Sequence, residues 1–236
     1  GDVNFELKKG KEKFQGNCYE SYVLENEDEI NILSTNKSVY GYLSINGIFD
    51  IKYQWGSCSV NTKANIGSNS GKKMKDLQKI NIKKINDNFT KKKLDFINTK
   101  IENIRVIKGT NFNYFSEKSK KDFFSKDFNV SKLTDRMGMR LEGPKIENIV
   151  DTNIKSEGLL KGVIQVPADG NPIIMLSDHG TIGGYPKIAS VVSADYDKLV
   201  QIPPGSKIKF KEVELSDAET LFKLYEIETQ SLISKI

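Results

Sequence analysis

Between two strongly apolar segments, Val163 to Leu176 and Ile188 to Val192, the chain carries Ser177-Asp178-His179-Gly180-Thr181-Ile182-Gly183-Gly184-Tyr185-Pro186-Lys187. The stretch holds a carboxylate, the only histidine, a hydroxyl, a phenol and an ammonium. Histidine titrates near neutrality, so Asp178 beside His179 is a candidate catalytic acid–base pair. Thr181 and Tyr185 offer hydroxyls to an amide or carboxylate, and Lys187 offers a charge. Gly183 and Gly184 let another group approach the backbone closely, and Pro186 fixes φ and removes a donor. A site explains this set of residues. So does a long structural loop, because loops collect polar residues.

Two other places carry matching chemistry. Arg136 and Arg140 stand beside Asp135 and Glu142 in Thr134-Asp135-Arg136-Met137-Gly138-Met139-Arg140-Leu141-Glu142-Gly143-Pro144. A guanidinium is a planar fork suited to a carboxylate or phosphate. The pair therefore reads either as an anchor for an anionic substrate or as an internal network with Asp135 and Glu142. Gln165, inside the apolar run Val163 to Val166, can hydrogen-bond an amide. Gly67-Ser68-Asn69-Ser70-Gly71-Lys72-Lys73 is no phosphate loop, because the glycines stand one residue too close and Lys73 replaces the required Ser or Thr. No zinc pattern, nucleophile elbow or dinucleotide fingerprint occurs.

The elements that must hold these residues read mainly as strands. Ser38 to Ile45, Ile104 to Ile107, Gly162 to Val166, Pro172 to Leu176, Ile188 to Val192 and Lys207 to Lys211 are rich in strand formers. Ala168-Asp169-Gly170-Asn171 predicts a hairpin between two of them, and Pro203-Pro204-Gly205 a turn. Helices are fewer. Ser116 caps a short one leading to Phe123 and Phe124. Ser193 caps Ala194 to Leu199. Ser216, with Glu219 as its capping-box partner, opens a C-terminal helix over 216–234. Many short strands with Gly and Pro turns imply an antiparallel barrel. A polar stretch predicts a division into a β domain over 1–80, a linker over 81–103 and a second β domain over 104–236.

Composition bounds the function. Thirty-seven per cent hydrophobic and 28% charged residues are ordinary for a soluble domain. The net charge of +5 comes from lysines interleaved with acids, not from a basic stripe with exposed aromatics, which disfavours nucleic acid as a partner. No run approaches a membrane span. Cys18 and Cys58 form no metal-spaced pair and read as reduced thiols of a cytoplasmic protein.

The Thr134 to Pro144 segment, then Ser156-Glu157-Gly158, then Gly162 to Ile173, the Asp178 to Lys187 loop, Ser193-Ala194-Asp195-Tyr196 and Gln201 to Phe210 follow one another in a recognisable order. In that order they resemble the family of 5-oxoprolinase C subunits, also known as allophanate hydrolase subunit 2 or biotin-dependent carboxyltransferase-like. Tyr42 to Asp50, Trp55-Gly56-Ser57-Cys58-Ser59 with Asn61-Thr62, and Ile104 to Gly109 extend the resemblance more weakly. The chain departs from the family at Gly180, Ile182 and Met139, where members usually carry a small polar residue or Gln, a Thr, and often a Tyr.

The resemblance implies a mainly β fold of cyclophilin-like β-barrel halves with a few short helices and a C-terminal helix. The first half is incomplete, because the chain opens in what looks like the middle of the family's first barrel. That implies a fragment, an engineered piece or one part of a split protein. The resemblance also implies a role in ATP-dependent ring opening of 5-oxoproline to glutamate, with a partner like the enzyme's B subunit, together with its A subunit. ATP is then the implied cofactor, and Arg136, Arg140, Glu142, Gln165 and the Asp178 to Lys187 loop are the implied pocket lining. Two other roles fit the family. One is a regulatory module antagonising a kinase inhibitor. The other is a carboxyltransferase-type domain acting on urea or a related amide, with biotin carried by another protein.

Overall fold

The structure, a computed structural model, describes residues 1–35, 37–84, 90–94 and 100–234. By internal contacts the chain divides into two units, Gly1–Gly41 with Lys92–Ile236, and Tyr42–Lys91. Within the expected linker, residues 85–89 and 95–99 lie outside the described ones.

The larger unit begins with β1 (Asn4–Lys9), β2 (Glu12–Gln15) and β3 (Glu29–Ser34), an antiparallel sheet in the order β2-β1-β3. The smaller unit contains two ribbons, β4 (Gly47–Phe49) with β7 (Ile82–Lys84), and β5 (Val60–Asn61) with β6 (Ile66–Gly67). Among its described residues only Ser68 and Gly71 are buried. The expected strand over Ser38 to Ile45 does not form. The backbone N–H groups of Val39 and Tyr40 donate to the side chain of Gln201 at 3.1 and 2.9 Å. A side-chain acceptor thus takes the donors that a ladder would have used.

The rest of the larger unit is built on β8 (Ile104–Lys108), β9 (Phe128–Val130), β10 (Gly138–Glu142), β11 (Glu157–Gly158), β12 (Val163–Gln165), β13 (Ile173–Met175), β14 (Ile182–Gly183), β15 (Lys187–Val191), β16 (Lys207–Ile208) and β17 (Phe210–Glu212). Eight of these form one sheet in the order β16-β9-β10-β13-β12-β15-β8-β17, and β11 pairs separately with β14. Only Lys209 separates β16 from β17. One short segment therefore pairs with β9 at one edge and β8 at the other, bending the sheet into a nearly closed barrel.

Alternation along a strand sets the two faces. In β10, Met139 and Leu141 are buried while Arg140 and Glu142 are exposed. The interior holds Phe115, Phe123, Phe128, Leu141, Ile164, Ile174, Ile188 and Phe210, among others. The predicted hairpin joins β12 to β13 with Ile164 opposite Ile174. Its Gly170 sits at φ 73°, a conformation that an added Cβ would strain.

Three α-helices stand among the described residues of the unit. α1 (Glu117–Ser125) is capped as expected, the Ser116 side chain accepting from the Ser119 N–H at 3.2 Å. α2 (Ser193–Leu199) is not capped by Ser193, which lies inside the helix after Val192 at the cap position. α3 (Leu215–Ile233) starts one residue before Ser216 and has no side-chain cap, so the expected capping box is absent. Its Tyr225 hydroxyl instead bonds Asp197 of α2. Both helices begin within a residue or two of where the capping residues place them. Among the described residues no helix is long and apolar enough to cross a membrane.

Candidate functional site

On the face of β12 and β15 away from the barrel interior lies a second, thinner layer. Ile164 and Val166 belong to the main core, whereas Val163 packs with Leu159 and Met175 outside it. Gln165, two residues from Val163, shares that outer face. Its register partner across the ladder is Lys187, and directly opposed residues project to the same side. An amide and an ammonium, both almost fully buried, therefore stand next to each other on a sheet.

Each has defined partners. The Gln165 Nε2 donates to the Tyr185 carbonyl at 3.0 Å. The Lys187 ammonium pairs with Glu157 of β11. Asn111 is also buried and locks the start of β15. Its Oδ1 accepts from the Lys187 N–H at 3.0 Å, and its own N–H donates to the Lys187 carbonyl at 3.2 Å. Hydrogen bonding from Lys187 holds the Glu157 carboxyl below the ordinary carboxylate range, with help from the Asn111 side chain and against partial burial.

The β11–β14 ribbon covers this layer. Glu157 lies opposite Gly183, and Gly158 opposite Ile182. A Cβ on Gly183 would sit 2.8 and 3.0 Å from the two polar atoms of the Gln165 amide and 2.7 Å from Leu159. The glycine is what allows the ribbon to close down on Gln165. Gly184 continues the contact, its carbonyl accepting from the Ile154 N–H at 2.9 Å. Thr181 is exposed and contributes its carbonyl to Leu159 N–H at 2.9 Å.

Tyr185 serves here through its backbone, and its hydroxyl makes no hydrogen bond to a described residue. Tyr185→Phe is therefore expected to leave the melting temperature unchanged. It should weaken ligand binding by roughly 1–3 kcal/mol if the phenol faces the ligand. Thermal melts alongside calorimetric titration measure both effects.

The second constellation sits where β10 meets β13. The Asp178 N–H donates to the Arg136 carbonyl at 2.9 Å, and the Arg136 guanidinium pairs with Asp178 at 3.0 Å. The arginine motif and the loop are thus brought together, as two segments on adjoining strands. Asp135 turns back on its own loop, accepting from the Met137 and Gly138 N–H groups at 2.8 and 3.2 Å. Glu142 accepts from the buried Ser131 hydroxyl at 2.5 Å. Arg140 is exposed and makes no ion pair or hydrogen bond through its guanidinium with any described residue. Against the opposing effect of burial, hydrogen bonds from the Asn171 backbone and side chain hold the Asp169 carboxyl below its ordinary range, and the charges of Lys145 and Arg140 add to this.

Asp178 and His179 are adjacent in sequence but do not form the expected pair. The Asp178 carboxylate faces Arg136, while His179 Nδ1 lies 2.6 Å from the Gly180 carbonyl. A carbonyl only accepts, so Nδ1 is the donor in this contact. Gln165, Gly183, Gly184, Tyr185 and Lys187 form one group, and Arg136 and Asp178 a second.

Two members of the first group, Asn111 and Glu157, escape a sequence reading of site residues. Glu157 stands within a recognisable motif. Asn111 lies far from Lys187 in sequence, and no local pattern links them. Among the described residues no group of three or more His, Cys, Asp or Glu is placed to hold a metal ion. A shallow depression of about 360 Å³, lined by Asn103, Phe124 and residues 209–212, shares no member with either constellation.

Residues 2–212 match the family model described as carboxyltransferase domain, subdomain A and B. The chain belongs to this family. It is 35% identical over 181 residues to the 5-oxoprolinase C subunit of Escherichia coli, covering 75% of this chain and 57% of that protein. It is 32% identical over 190 residues to the 5-oxoprolinase C subunit of Haemophilus influenzae, covering 80% and 61%. The chain thus spans little more than half the length of these curated relatives. The solved K. lactis urea amidolyase superposes with a TM-score of 0.77 at 20% identity, over 98% of this chain and 16% of that one. The last likeness is one of fold, and it fits the mainly β, cyclophilin-like architecture expected from sequence.

Proposed function

We propose that this chain contributes to an ATP-dependent 5-oxoprolinase, acting in the cytoplasm with a partner like that enzyme's B subunit, together with its A subunit. The observation that carries the reading is the 32–35% identity to two 5-oxoprolinase C subunits over 75–80% of the chain. The site chemistry supports it. Binding 5-oxoproline calls for groups that take an amide and a carboxylate, and Gln165 and Lys187 supply an amide and a cation on one face, with the Asn111 amide beside Lys187. ATP would supply a phosphoryl group to activate the lactam oxygen. The exposed guanidinium of Arg140, without an ion pair among the described residues, fits a phosphate. Arg136, drawn off by Asp178, would orient the loop beside it.

The test is co-purification with the partner subunits, followed by an assay for ATP-dependent glutamate formation from 5-oxoproline. Arg140→Lys keeps the charge and loses the planar fork. It is expected to lower the activity of the reconstituted complex about tenfold, equivalent to ~1.4 kcal/mol, with an unchanged melting temperature. A fallen melting temperature with normal activity per folded molecule would make Arg140 a residue of the fold. A second reading, a carboxyltransferase-type domain acting on urea or a related amide, is favoured by the matched carboxyltransferase family description. It gains ground if 5-oxoproline is inert and a biotin-carrying partner supports carboxyl transfer to urea.

A further inference from the structure

The pairing of Lys187 with Glu157 is lopsided. The lysine side chain is 6% exposed, whereas the glutamate side chain is 45% exposed. A buried ammonium needs an anion, but nothing requires that anion to reach it from the solvent side on a short two-residue strand. Asn111 accepts from the Lys187 backbone N–H, and Gln165 flanks Lys187 on the sheet. The Glu157 carboxylate is the anion that the ammonium meets. The Gln165 amide has given its N–H to the Tyr185 carbonyl, and its Oε1 makes no hydrogen bond to a described residue. Asn111 has used its Oδ1 on the Lys187 N–H, which leaves its NH₂ as a donor.

We infer that Lys187, Asn111 and Gln165 form a subsite for a small carboxylate bearing an adjacent N–H, and that Glu157 fills its carboxylate position in cis. Lys187 and the Asn111 NH₂ take the ligand carboxylate, and the Gln165 Oε1 accepts from the ligand N–H. Gly183 keeps the covering ribbon close, since any Cβ there would strike the Gln165 amide. The lowered Glu157 carboxyl agrees with an anion well matched to the cradle. An internal carboxylate competes with the ligand, and apparent affinity falls by the fraction of time the cradle is free. The inference deepens the 5-oxoprolinase reading and rests on it for the choice of probe. 5-Oxoproline is a lactam whose ring N–H stands next to its carboxylate.

The experiment is calorimetric titration of the whole chain with L-5-oxoproline, 2-pyrrolidinone and cyclopentanecarboxylate. Glu157→Ala is expected to bind 5-oxoproline about tenfold or more tightly than the parent chain. Adding Lys187→Met to Glu157→Ala should abolish the gain. Methionine fills the volume of the lysine stem, and circular dichroism checks that the fold is kept. In Glu157→Ala itself, 5-oxoproline should shift the NMR signals of the Gln165 and Asn111 side-chain amides, a readout that does not depend on the lysine variant folding. Binding to Glu157→Ala should be weaker for both analogues than for 5-oxoproline, since one lacks the carboxylate and the other the N–H.

The subsite is overturned if Glu157→Ala binds no tighter than the parent, if Lys187→Met leaves the gain intact, or if cyclopentanecarboxylate matches 5-oxoproline. Its failure is distinct from failure of the oxoprolinase reading. An active reconstituted complex with no gain in Glu157→Ala removes the subsite alone. A gain in Glu157→Ala beside an inactive complex keeps the subsite and removes the oxoprolinase role.

Discussion

Asp195→Ala should destabilise the larger unit by about 3–5 kcal/mol, the penalty typical of leaving one partner of a buried pair alone. Asp195 is 1% exposed at the start of α2. It accepts from the Arg105 backbone N–H at 2.8 Å, and from Arg105 Nε at 3.1 and 3.0 Å to its two oxygens. A further guanidinium nitrogen also bonds it. The carboxylate thus ties α2 to β8 through both backbone and side chain. Its hydrogen bonds are the main reason the Arg105 guanidinium holds its proton more firmly than usual, against partial burial.

Alanine leaves a part-buried backbone donor and a part-buried cation without their partner. For a unit of this size the loss corresponds to a fall in melting temperature of roughly 6–20 °C. Arg136→Ala provides the contrast. The Arg136 side chain is 54% exposed, and an exposed pair is worth only about 0–1 kcal/mol. Urea melts of the two variants separate the cases. Equal, small losses would mean that Asp195 is not the anchor its hydrogen bonds describe.

The contrast also marks what a sequence can and cannot convey. Asp195 stands in a recognisable motif, but its importance comes from Arg105, which lies on another strand. The pairing of Asn111 with Lys187 is long-range in the same way. Neighbouring residues mislead in the opposite direction. Asp178 and His179 look like a pair because they touch in the sequence, yet successive side chains along an irregular turn find separate partners, Arg136 and the Gly180 carbonyl.

Runs of strand formers are the more dependable signal. Gly162 to Val166, Pro172 to Leu176 and Ile188 to Val192 correspond to β12, β13 and β15 as their composition implies, whereas β10 carries no such run and is not expected from composition. Asp169-Gly170 makes the hairpin that positions Gln165. Ser38 to Ile45 carries strand formers but no strand, and Gln201 takes the backbone donors of Val39 and Tyr40. Ser193 and Ser216 have cap chemistry, but each lies inside its helix and makes no cap hydrogen bond. Local propensity gives way wherever a distant group competes for the same donor or face.

The other large effect concerns closure of the barrel. Phe210→Ala should cost about 3–5 kcal/mol, as expected for deleting a fully enclosed aromatic ring. Phe210 stacks on Phe123 of α1 with ring centroids 4.5 Å apart and an interplanar angle of 10°. It also lies 5.7 Å from Phe128 of β9. The three rings fill the seam where the segment carrying β16 and β17 joins the sheet's two ends. Alanine would leave a cavity that α1 cannot readily fill, because Phe123 and Phe128 are already in contact at 5.9 Å.

The damage should therefore be directional. Hydrogen exchange should speed up first at β8, β9, β16 and β17, where the seam depends on the ring, and only later at β12 and β15, which carry Gln165 and Lys187. Leu224→Ala on α3 is the control. That side chain is 52% exposed, and surface substitutions of this kind usually stay within about 0.5 kcal/mol. If Phe210→Ala loosens β12 and β15 as early as the seam strands, the barrel melts as one unit and the seam is no weaker than the rest. If it costs no more than Leu224→Ala, the aromatic trio does not hold the barrel closed, and closure rests on the backbone pairing of residues 207–212 alone.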